Sequence, residues 1–187
     1  MNVKDLFDKC LTQADTVMKQ VRASQFGLPT PDTEWDVRKL VGHILYELAW
    51  VPDLMAGQTV AAVGTKYDGD LIGSDLQVSW RSLVDKALAA VKSVDSNQMV
   101  HLSYADVPAA NFIQEQANDQ LIHAWDLATA IGVPIKFDEQ VAEELYQAAL
   151  PRQAEMASSG LFGTPVQTPA SADVQTKLLR VFGRESK

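Results

Sequence analysis

Residues 110–134, ANFIQEQANDQLIHAWDLATAIGVP, are the stretch that decides the fold. Apolar residues recur there at every third or fourth position, which predicts a helix from about Ala110 to Ile131. Gly132 followed by Pro134 is typical of a helix end, because glycine accepts the left-handed cap conformation and proline cannot extend the helix. One stripe along this helix is plain packing surface. The other mixes apolar and ionisable residues: Phe112, Gln116, Asp119, His123, Asp126 and Ala130.

Helical spacing also dominates the rest of the chain. The pattern predicts helices over residues 2–23, 33–56, 74–94, 138–157 and 172–182, and a short extended segment over residues 99–104. We expect Thr33 to cap the second of these helices, with Asp36 returning the capping contact, and Pro52 is in a position to kink it near its end. The predicted fold is all-α, a bundle of four long helices with a short C-terminal helix.

The connection GQTVAAVGTKYDGDLIGS, residues 57–74, is rich in glycine and has little helical period. A loop of this length inside a compact domain is usually functional or lies over a site. Tyr46, Tyr67 and Tyr104 are candidates to line a pocket near it, and the sequence does not choose among them. We therefore expect the long loop after the second helix to border the functional site.

Bulk properties limit the function. The 187 residues fit one domain, 1–187, in which residues 160–187 form a C-terminal tail and helix packed on the bundle. The net charge of −8 argues against a nucleic-acid or membrane-surface partner, because no basic patch is present to displace counterions. The single cysteine, Cys10, allows no internal disulfide and is expected to be buried. The first ten residues do not read as a secretory signal, so a cytoplasmic protein is expected.

The chain has three histidines, and two of them fall in the middle of predicted helices. Asp119 and His123 are four residues apart and project from the same side of one helix. With His43 from a facing helix they make a carboxylate and two imidazoles, a set from which helix bundles build metal sites. We therefore predict that His43, Asp119 and His123 hold a divalent metal ion, which would resolve the cost of burying these ionisable groups.

Spacing alone leaves other interpretations open. His43 and His123 could be core histidines hydrogen-bonded to Glu47 and Asp119, because pairs at this spacing also support ordinary helices. Glu47 could orient a ligand, act as a fourth ligand or be solvated. Asp126 could support an imidazole or face solvent. The third histidine, His101, is expected to be a surface or packing residue.

Four segments of the sequence together resemble one known family. These are TEWDVRKLVGHILYELAW, GDLIGSDLQVSW, DQLIHAWDLATAIG and FGTPVQTPASADVQTKLLRVFGR, which begin at residues 33, 69, 119 and 162. They look like the actinobacterial branch of the DinB-like superfamily, which includes the metal-binding domain of mycothiol-dependent maleylpyruvate isomerases. The resemblance covers nearly the whole chain, and the ordered set is more specific than any one segment.

The resemblance implies an up-down-down-up four-helix bundle with one divalent metal ion, commonly zinc or nickel, held by residues that fall on His43, Asp119 and His123. This chain differs from the isomerases in two respects. The isomerases carry a glutamate where this chain has Asp119, and they carry an additional C-terminal domain for which a chain of this length has no room. Isomerase activity itself is therefore not expected to transfer.

By analogy with the superfamily, we expect a metal-dependent thiol transferase that delivers mycothiol to a small electrophile, with mycothiol as co-substrate. The alternative is a non-enzymatic metal-binding bundle with a structural or stress-related role. Related bundles often form dimers, so a homodimer is also compatible with the resemblance. No catalytic residue is singled out by the sequence.

Overall fold

A computed structural model of the chain describes residues 1–32, 34–153 and 164–185. Its internal contacts divide the chain into two compact units, Asn2–Val133 and Met1 with Pro134–Lys187. The expectation of a single domain with a packed C-terminal tail stays a prediction. Among the described residues, no helix combines the length and the apolar character needed to cross a bilayer.

The first unit is built from four long helices. They are α1 (Val3–Met18), α2 (Val37–Met55), α4 (Leu76–Ser93) and α5 (Ala109–Ile131), and a one-turn helix, α3 (Val60–Val63), lies between α2 and α4. Helix α1 packs on α4 and α5, and α2 packs on the same two helices. This confirms the predicted all-α, DinB-like bundle of up-down-down-up order. In that order α2 and α4 run in the same direction. The long connection after α2 therefore has to carry the chain back along the bundle before α4 begins.

The second unit contains α6 (Glu139–Ala149), a 3-10 turn (Leu150–Arg152) and α7 (Val174–Val181). Helices α6 and α7 pack on each other. Gln175 on α7 accepts from the backbone N–H of Phe137 at 2.9 Å and donates to the carbonyl of Ile135 at 3.3 Å. The predicted helix over residues 138–157 is confirmed as far as Ala149, and its last predicted residues lie outside the described part of the chain.

The start of α2 differs from the prediction. The helix begins at Val37, and its N-cap is Asp36, whose side chain accepts from the backbone N–H of Lys39 at 2.8 Å. Thr33 therefore does not cap this helix, and Thr33 itself lies outside the described residues. The cap is Asp36 because its own backbone is extended and bridged to Pro29, directly before the first helical residue, and an aspartate is an equally good cap.

Two predicted irregular segments contain regular structure. The connection after α2 contains α3, which is capped by Thr59. The predicted extended segment is one strand of a hairpin, in which β1 (Met99–His101) pairs antiparallel with β2 (Asp106–Pro108). His101 lies on this exposed hairpin, with its Nδ1 2.9 Å from Asp106 Oδ1, as expected of a surface histidine.

The core of the first unit lies between the apolar faces of its helices. Large side chains that are almost fully buried include Phe7, Leu40, Leu48, Ile113 and Leu121. Trp80 on α4 is 1% exposed and donates its indole N–H to Asp15 Oδ1 on α1 at 3.0 Å. Cys10 is buried, as predicted, and burial raises the pKa of its thiol.

Candidate metal centre

The two facing helices α2 and α5 bring the three predicted ligands together. His43 lies in the middle of α2, and Asp119 and His123 lie one turn apart on α5. Asp119 Oδ1 is 3.3 Å from His43 Nε2 and 3.4 Å from His123 Nε2. Among the described residues, these three form a group of potential metal ligands whose donor atoms all lie within 4.8 Å of one another.

The distances test whether these residues fit a metal ion. Good N–H···O hydrogen bonds cluster at about 2.7–3.2 Å between the heavy atoms, so separations of 3.3 and 3.4 Å are long for such bonds. Two ligands at about 2.1 Å from one tetrahedral ion lie about 3.4 Å apart. Two imidazole nitrogens and one carboxylate oxygen are also common ligands of divalent transition metals. The donor set and its spacing fit a divalent ion.

Asp126 supports His123 from the side away from Asp119. Its side chain is fully buried, and its Oδ2 accepts from His123 Nδ1 at 3.0 Å. Because a carboxylate only accepts, this contact puts a proton on Nδ1 and turns Nε2 towards Asp119. A carboxylate behind a histidine in this way is the arrangement that orients metal-bound imidazoles. Of the two interpretations left open for Asp126, the structure favours support of the imidazole.

Trp35 lies over both imidazoles. Its ring centroid is 4.7 Å from that of His43 and 5.7 Å from that of His123, and the two imidazoles meet edge to face at 4.8 Å. Trp35 directly precedes the Asp36 cap, and its carbonyl accepts from the backbone N–H of Thr30 at 3.3 Å. The capped start of α2 therefore holds an aromatic cover on the histidines, and the sequence analysis did not identify this residue.

Two glutamines surround the carboxylates. Gln116 Nε2 donates to Glu47 Oε2 at 2.9 Å, which occupies one oxygen of that carboxylate. Gln120 Nε2 is 3.3 Å from the carbonyl of Ile44 and 3.5 Å from Asp119 Oδ2. Glu47 is not part of the group of converging donors. Of the alternative hydrogen bonds predicted for the core histidines, one with Glu47 is not among the contacts that the structure shows, whereas Asp119 does contact both imidazoles.

The electrostatics of this group are dominated by the His123–Asp119 pair. Burial alone would lower the pKa of His123, but the charges and hydrogen bonds of Asp119 and Asp126 outweigh it and raise this pKa to about 9. Burial would raise the pKa of Asp119, but the two histidines hold it well below its usual range. Burial, followed by the negative charge of Asp119, raises the pKa of Glu47.

A cavity of about 300 Å³ lies along the same two helices, and none of the three donor residues lines it. It is lined by Glu47, one turn after His43, and by Gln116, three residues before Asp119. The connection after α2 contributes Val60 to the wall of this cavity. This agrees with the expectation that the connection lies beside the site. Tyr46 and Tyr104 line the cavity, whereas Tyr67 stacks on one of its walls, 5.9 Å from the ring of Trp50.

Comparison of sequences identifies relatives of the chain. Residues 7–128 match the family model described as mycothiol maleylpyruvate isomerase N-terminal domain. Two uncharacterized proteins of Mycobacterium tuberculosis, from strains CDC 1551 and H37Rv, are each 29% identical over 133 residues. That alignment covers 71% of this chain and 69% of theirs.

Comparison of structures identifies the same fold in two crystal structures. One is of a mycothiol-dependent maleylpyruvate isomerase (TM-score 0.64), and the other is of a histidine-to-alanine mutant of such an enzyme (TM-score 0.66). In both cases the identity is 14%, and the match covers 86% of this chain and 72% of the other. At this identity the likeness demonstrates the shared fold.

Proposed function

Since the chain belongs to the mycothiol maleylpyruvate isomerase N-terminal domain family, we propose that it is a metal-dependent thiol transferase. In this proposal His43, Asp119 and His123 hold one divalent ion, zinc or nickel, and the thiol is mycothiol or a related small thiol. The observation that carries the proposal is the convergence of these donors at 3.3 and 3.4 Å, supported by a fully buried Asp126 behind His123.

Each residue has a defined role. The two histidines present Nε2 and Asp119 presents Oδ1, while Asp126 keeps the Nδ1 proton of His123 and so fixes its orientation. Trp35 covers the imidazoles and limits access of water from its side. When bound, the ion supplies a Lewis acid that favours the thiolate form of a bound thiol near neutral pH.

The centre has the character of an open site. Three protein ligands are typical of catalytic zinc sites, whereas structural sites are closed by four. Glu47, the candidate for a fourth ligand, is not among the converging donors, and one of its oxygens accepts from Gln116. The cavity that begins at Glu47 and Gln116 offers space for a small molecule next to the donors.

The thiol must come from outside the chain. The sequence has one cysteine, Cys10, which is buried in α1 and whose pKa is raised by burial. A buried neutral thiol is a poor nucleophile, because the reactive form is the thiolate. This favours a small-molecule thiol as co-substrate over a cysteine-based mechanism.

The test combines elemental analysis with a transfer assay. Protein purified without chelators should contain about one equivalent of metal, and so should the His101→Ala variant, because His101 lies on the hairpin. The His123→Ala variant should contain little metal, should keep its helical circular dichroism and should lose transfer of mycothiol to 1-chloro-2,4-dinitrobenzene.

Three outcomes bear on the proposal. Metal binding without transfer to any electrophile tested would favour the non-enzymatic alternative. Equal transfer by the parent and His123→Ala proteins would contradict the metal-dependent mechanism. Absence of metal from the parent, even after added zinc or nickel, would reduce the three residues to hydrogen-bonding partners in the core.

A further inference from the structure

Glu47 lies between the candidate metal centre and the cavity along α2 and α5. It follows His43 by one turn of α2, so the two side chains project from the same side of the helix. Glu47 also lines the cavity, and the cavity lies entirely within the Asn2–Val133 unit. A carboxylate in this position is available to a molecule that occupies the cavity and extends towards the donors.

One oxygen of the Glu47 carboxylate is held and the other is free. Gln116 on α5 donates from Nε2 to Glu47 Oε2 at 2.9 Å, which fixes the carboxylate between the two helices. Among the described residues, Glu47 Oε1 has no hydrogen-bond partner, and it is not one of the fully buried atoms that lack one. Oε1 is therefore available to accept a hydrogen bond or a proton from a molecule in the cavity.

Glu47 is near the donors without being one of them. It does not belong to the group of converging donors, and among the described residues no ion pair joins it to His43 or His123. Burial raises the pKa of Glu47 most, and the negative charge of Asp119 raises it further, against the opposing effects of Gln116 and the two histidines. A carboxylate that lies beside a site and has a raised pKa is a typical group for general acid–base catalysis.

The other titratable side chains of the cavity wall are placed differently. Glu115 on α5 accepts from the hydroxyl of Tyr104 on the hairpin loop. Tyr46 on α2 packs edge to face on Trp50, with the ring centroids 5.8 Å apart. The charges that act on Glu47 are instead those of the three donors. Glu47 is therefore the lining residue that combines a free carboxylate oxygen with the surroundings of the candidate centre.

We propose that Glu47 is a catalytic residue of the proposed thiol transfer, the base that takes the proton of the incoming thiol. The S–H bond breaks, its electron pair stays on sulfur, and the proton passes to Glu47 Oε1. The thiolate sulfur then forms the bond to the electrophile, whose leaving group departs with its electron pair, and Glu47 returns the proton to water. The inference rests on the proposed function and adds the residue that carries the proton.

Charge balance favours this role. A divalent ion together with the carboxylates of Asp119 and Glu47 has no net charge. The site stays neutral when a thiol binds as thiolate and its proton remains on Glu47. Release of that proton to solvent would leave a net negative charge in a largely buried site, which is unfavourable.

Calorimetry in buffers of different ionisation enthalpy tests the inference, because it counts the protons released when a thiol binds. The probe is 2-mercaptoethanol, titrated at pH 7 into zinc-loaded protein. We expect the parent to release almost no proton to the buffer and Glu47→Gln to release about one per thiol bound. Glu115→Gln, which removes the same charge from the same cavity wall, is the control and should behave as the parent does.

Transfer of the thiol to 1-chloro-2,4-dinitrobenzene tests the role of Glu47 during turnover. Glu47→Ala should lower kcat/KM about 10²–10⁴-fold while its zinc content and helical circular dichroism match those of the parent. Added formate should restore part of the rate in this variant, in proportion to its concentration, and should not accelerate the parent. A merely structural role of Glu47 would give no such rescue.

The outcomes separate this inference from the proposed function. Release of one proton by both the parent and Glu47→Gln, or transfer by Glu47→Ala at the parent rate, would overturn the inference and leave the proposed function standing. Loss of zinc from Glu47→Gln would overturn it as well, because Glu47 would then be a ligand. A parent that binds zinc and thiol without transferring the thiol would contradict the proposed function, and the proton count would still decide whether Glu47 takes the proton.

Discussion

His123 donates its Nδ1–H to the fully buried carboxylate of Asp126, three residues further along α5, at 3.0 Å. The partner leaves the ring a single orientation, in which Nε2 lies 3.4 Å from Asp119. Replacing Asp126 with asparagine should lower the metal affinity about 10–100-fold, because the uncharged amide supports the imidazole less well. A competition titration against a chromophoric chelator measures the change.

The matched control for that variant is Asp68→Asn. Asp68 is an exposed aspartate in the connection after α2, and the substitution changes the net charge by the same amount. The Asp68 variant should bind metal as the parent does. If both variants lost affinity equally, the effect would be one of overall charge, and the proposed support of His123 would be refuted.

Metal binding should depend on pH. The metal-free His123 has its pKa raised to about 9, so at neutral pH an incoming ion must displace a proton from it. Affinity should therefore rise by about one log unit per pH unit between pH 7 and 9 and level off above that range. Zinc titrations at half-unit pH intervals measure the slope, and a flat profile would show that His123 is not a proton-bearing ligand.

The His123–Asp119 pair should make the stability of the metal-free protein depend on pH. The folded pKa of His123 lies above its ordinary value of 6.5, so its contribution is complete below about pH 6.5 and is lost as the pH rises through 9. Urea unfolding of metal-free protein at pH 6.5 and 9 measures this loss. The Asp119→Asn variant should show a smaller difference, and an equal difference would assign it to other groups.

Trp35 should report binding directly. Its ring lies 4.7 Å from His43, so nickel or copper held by the imidazoles should quench its fluorescence, whereas zinc, with its filled d shell, should quench little. Trp35→Phe should remove most of the quenching while elemental analysis still finds the metal. Quenching that persists in this variant would place the ion near another tryptophan.

The bundle should depend strongly on Trp80. This side chain is 1% exposed and joins α4 to α1 through Asp15, so Trp80→Ala should lower the free energy of unfolding by about 3–5 kcal/mol. The control is Val78, which is 65% exposed on the same helix. Val78→Ala should change the free energy of unfolding by less than about 0.5 kcal/mol. Chemical denaturation of both variants measures the contrast, and a small effect at Trp80 would mean that the α1–α4 contact contributes little.

The parts of the fold that follow from local periodicity could be read from the sequence. The length of α5 and its end at Gly132, which has the left-handed φ of 72°, follow from helical spacing and a cap rule. The meeting of Asp119 and His123 follows from four-residue spacing on one helix. The approach of His43 was inferred from its place among apolar residues of α2 and from the family resemblance, and the structure brings it to Asp119.

The features that the sequence did not reveal depend on contacts between distant segments. Trp35 lies in the segment before α2, outside any helical period, so no spacing rule links it to the imidazoles. The second strand of the hairpin, Asp106–Pro108, was missed because a three-residue strand has too short a pattern to recognise. The start of α2 was misplaced because threonine and aspartate are both good caps, and the bridge of Asp36 to Pro29, which fixes the cap at Asp36, joins residues too far apart for a local pattern to reveal.

The candidate centre brings together residues from two helices that are far apart in the sequence. His43 on α2 and Asp119 on α5 are separated by 76 positions. During synthesis His43 leaves the ribosome long before Asp119 and His123 do, so a nascent chain that ends before α5 has one imidazole and no site. If the centre holds an ion as proposed, that ion can be acquired only after α5 has emerged and docked on α2, which would make loading a late step in the maturation of the protein. Translation arrested before α5 would yield a chain that metal cannot rescue.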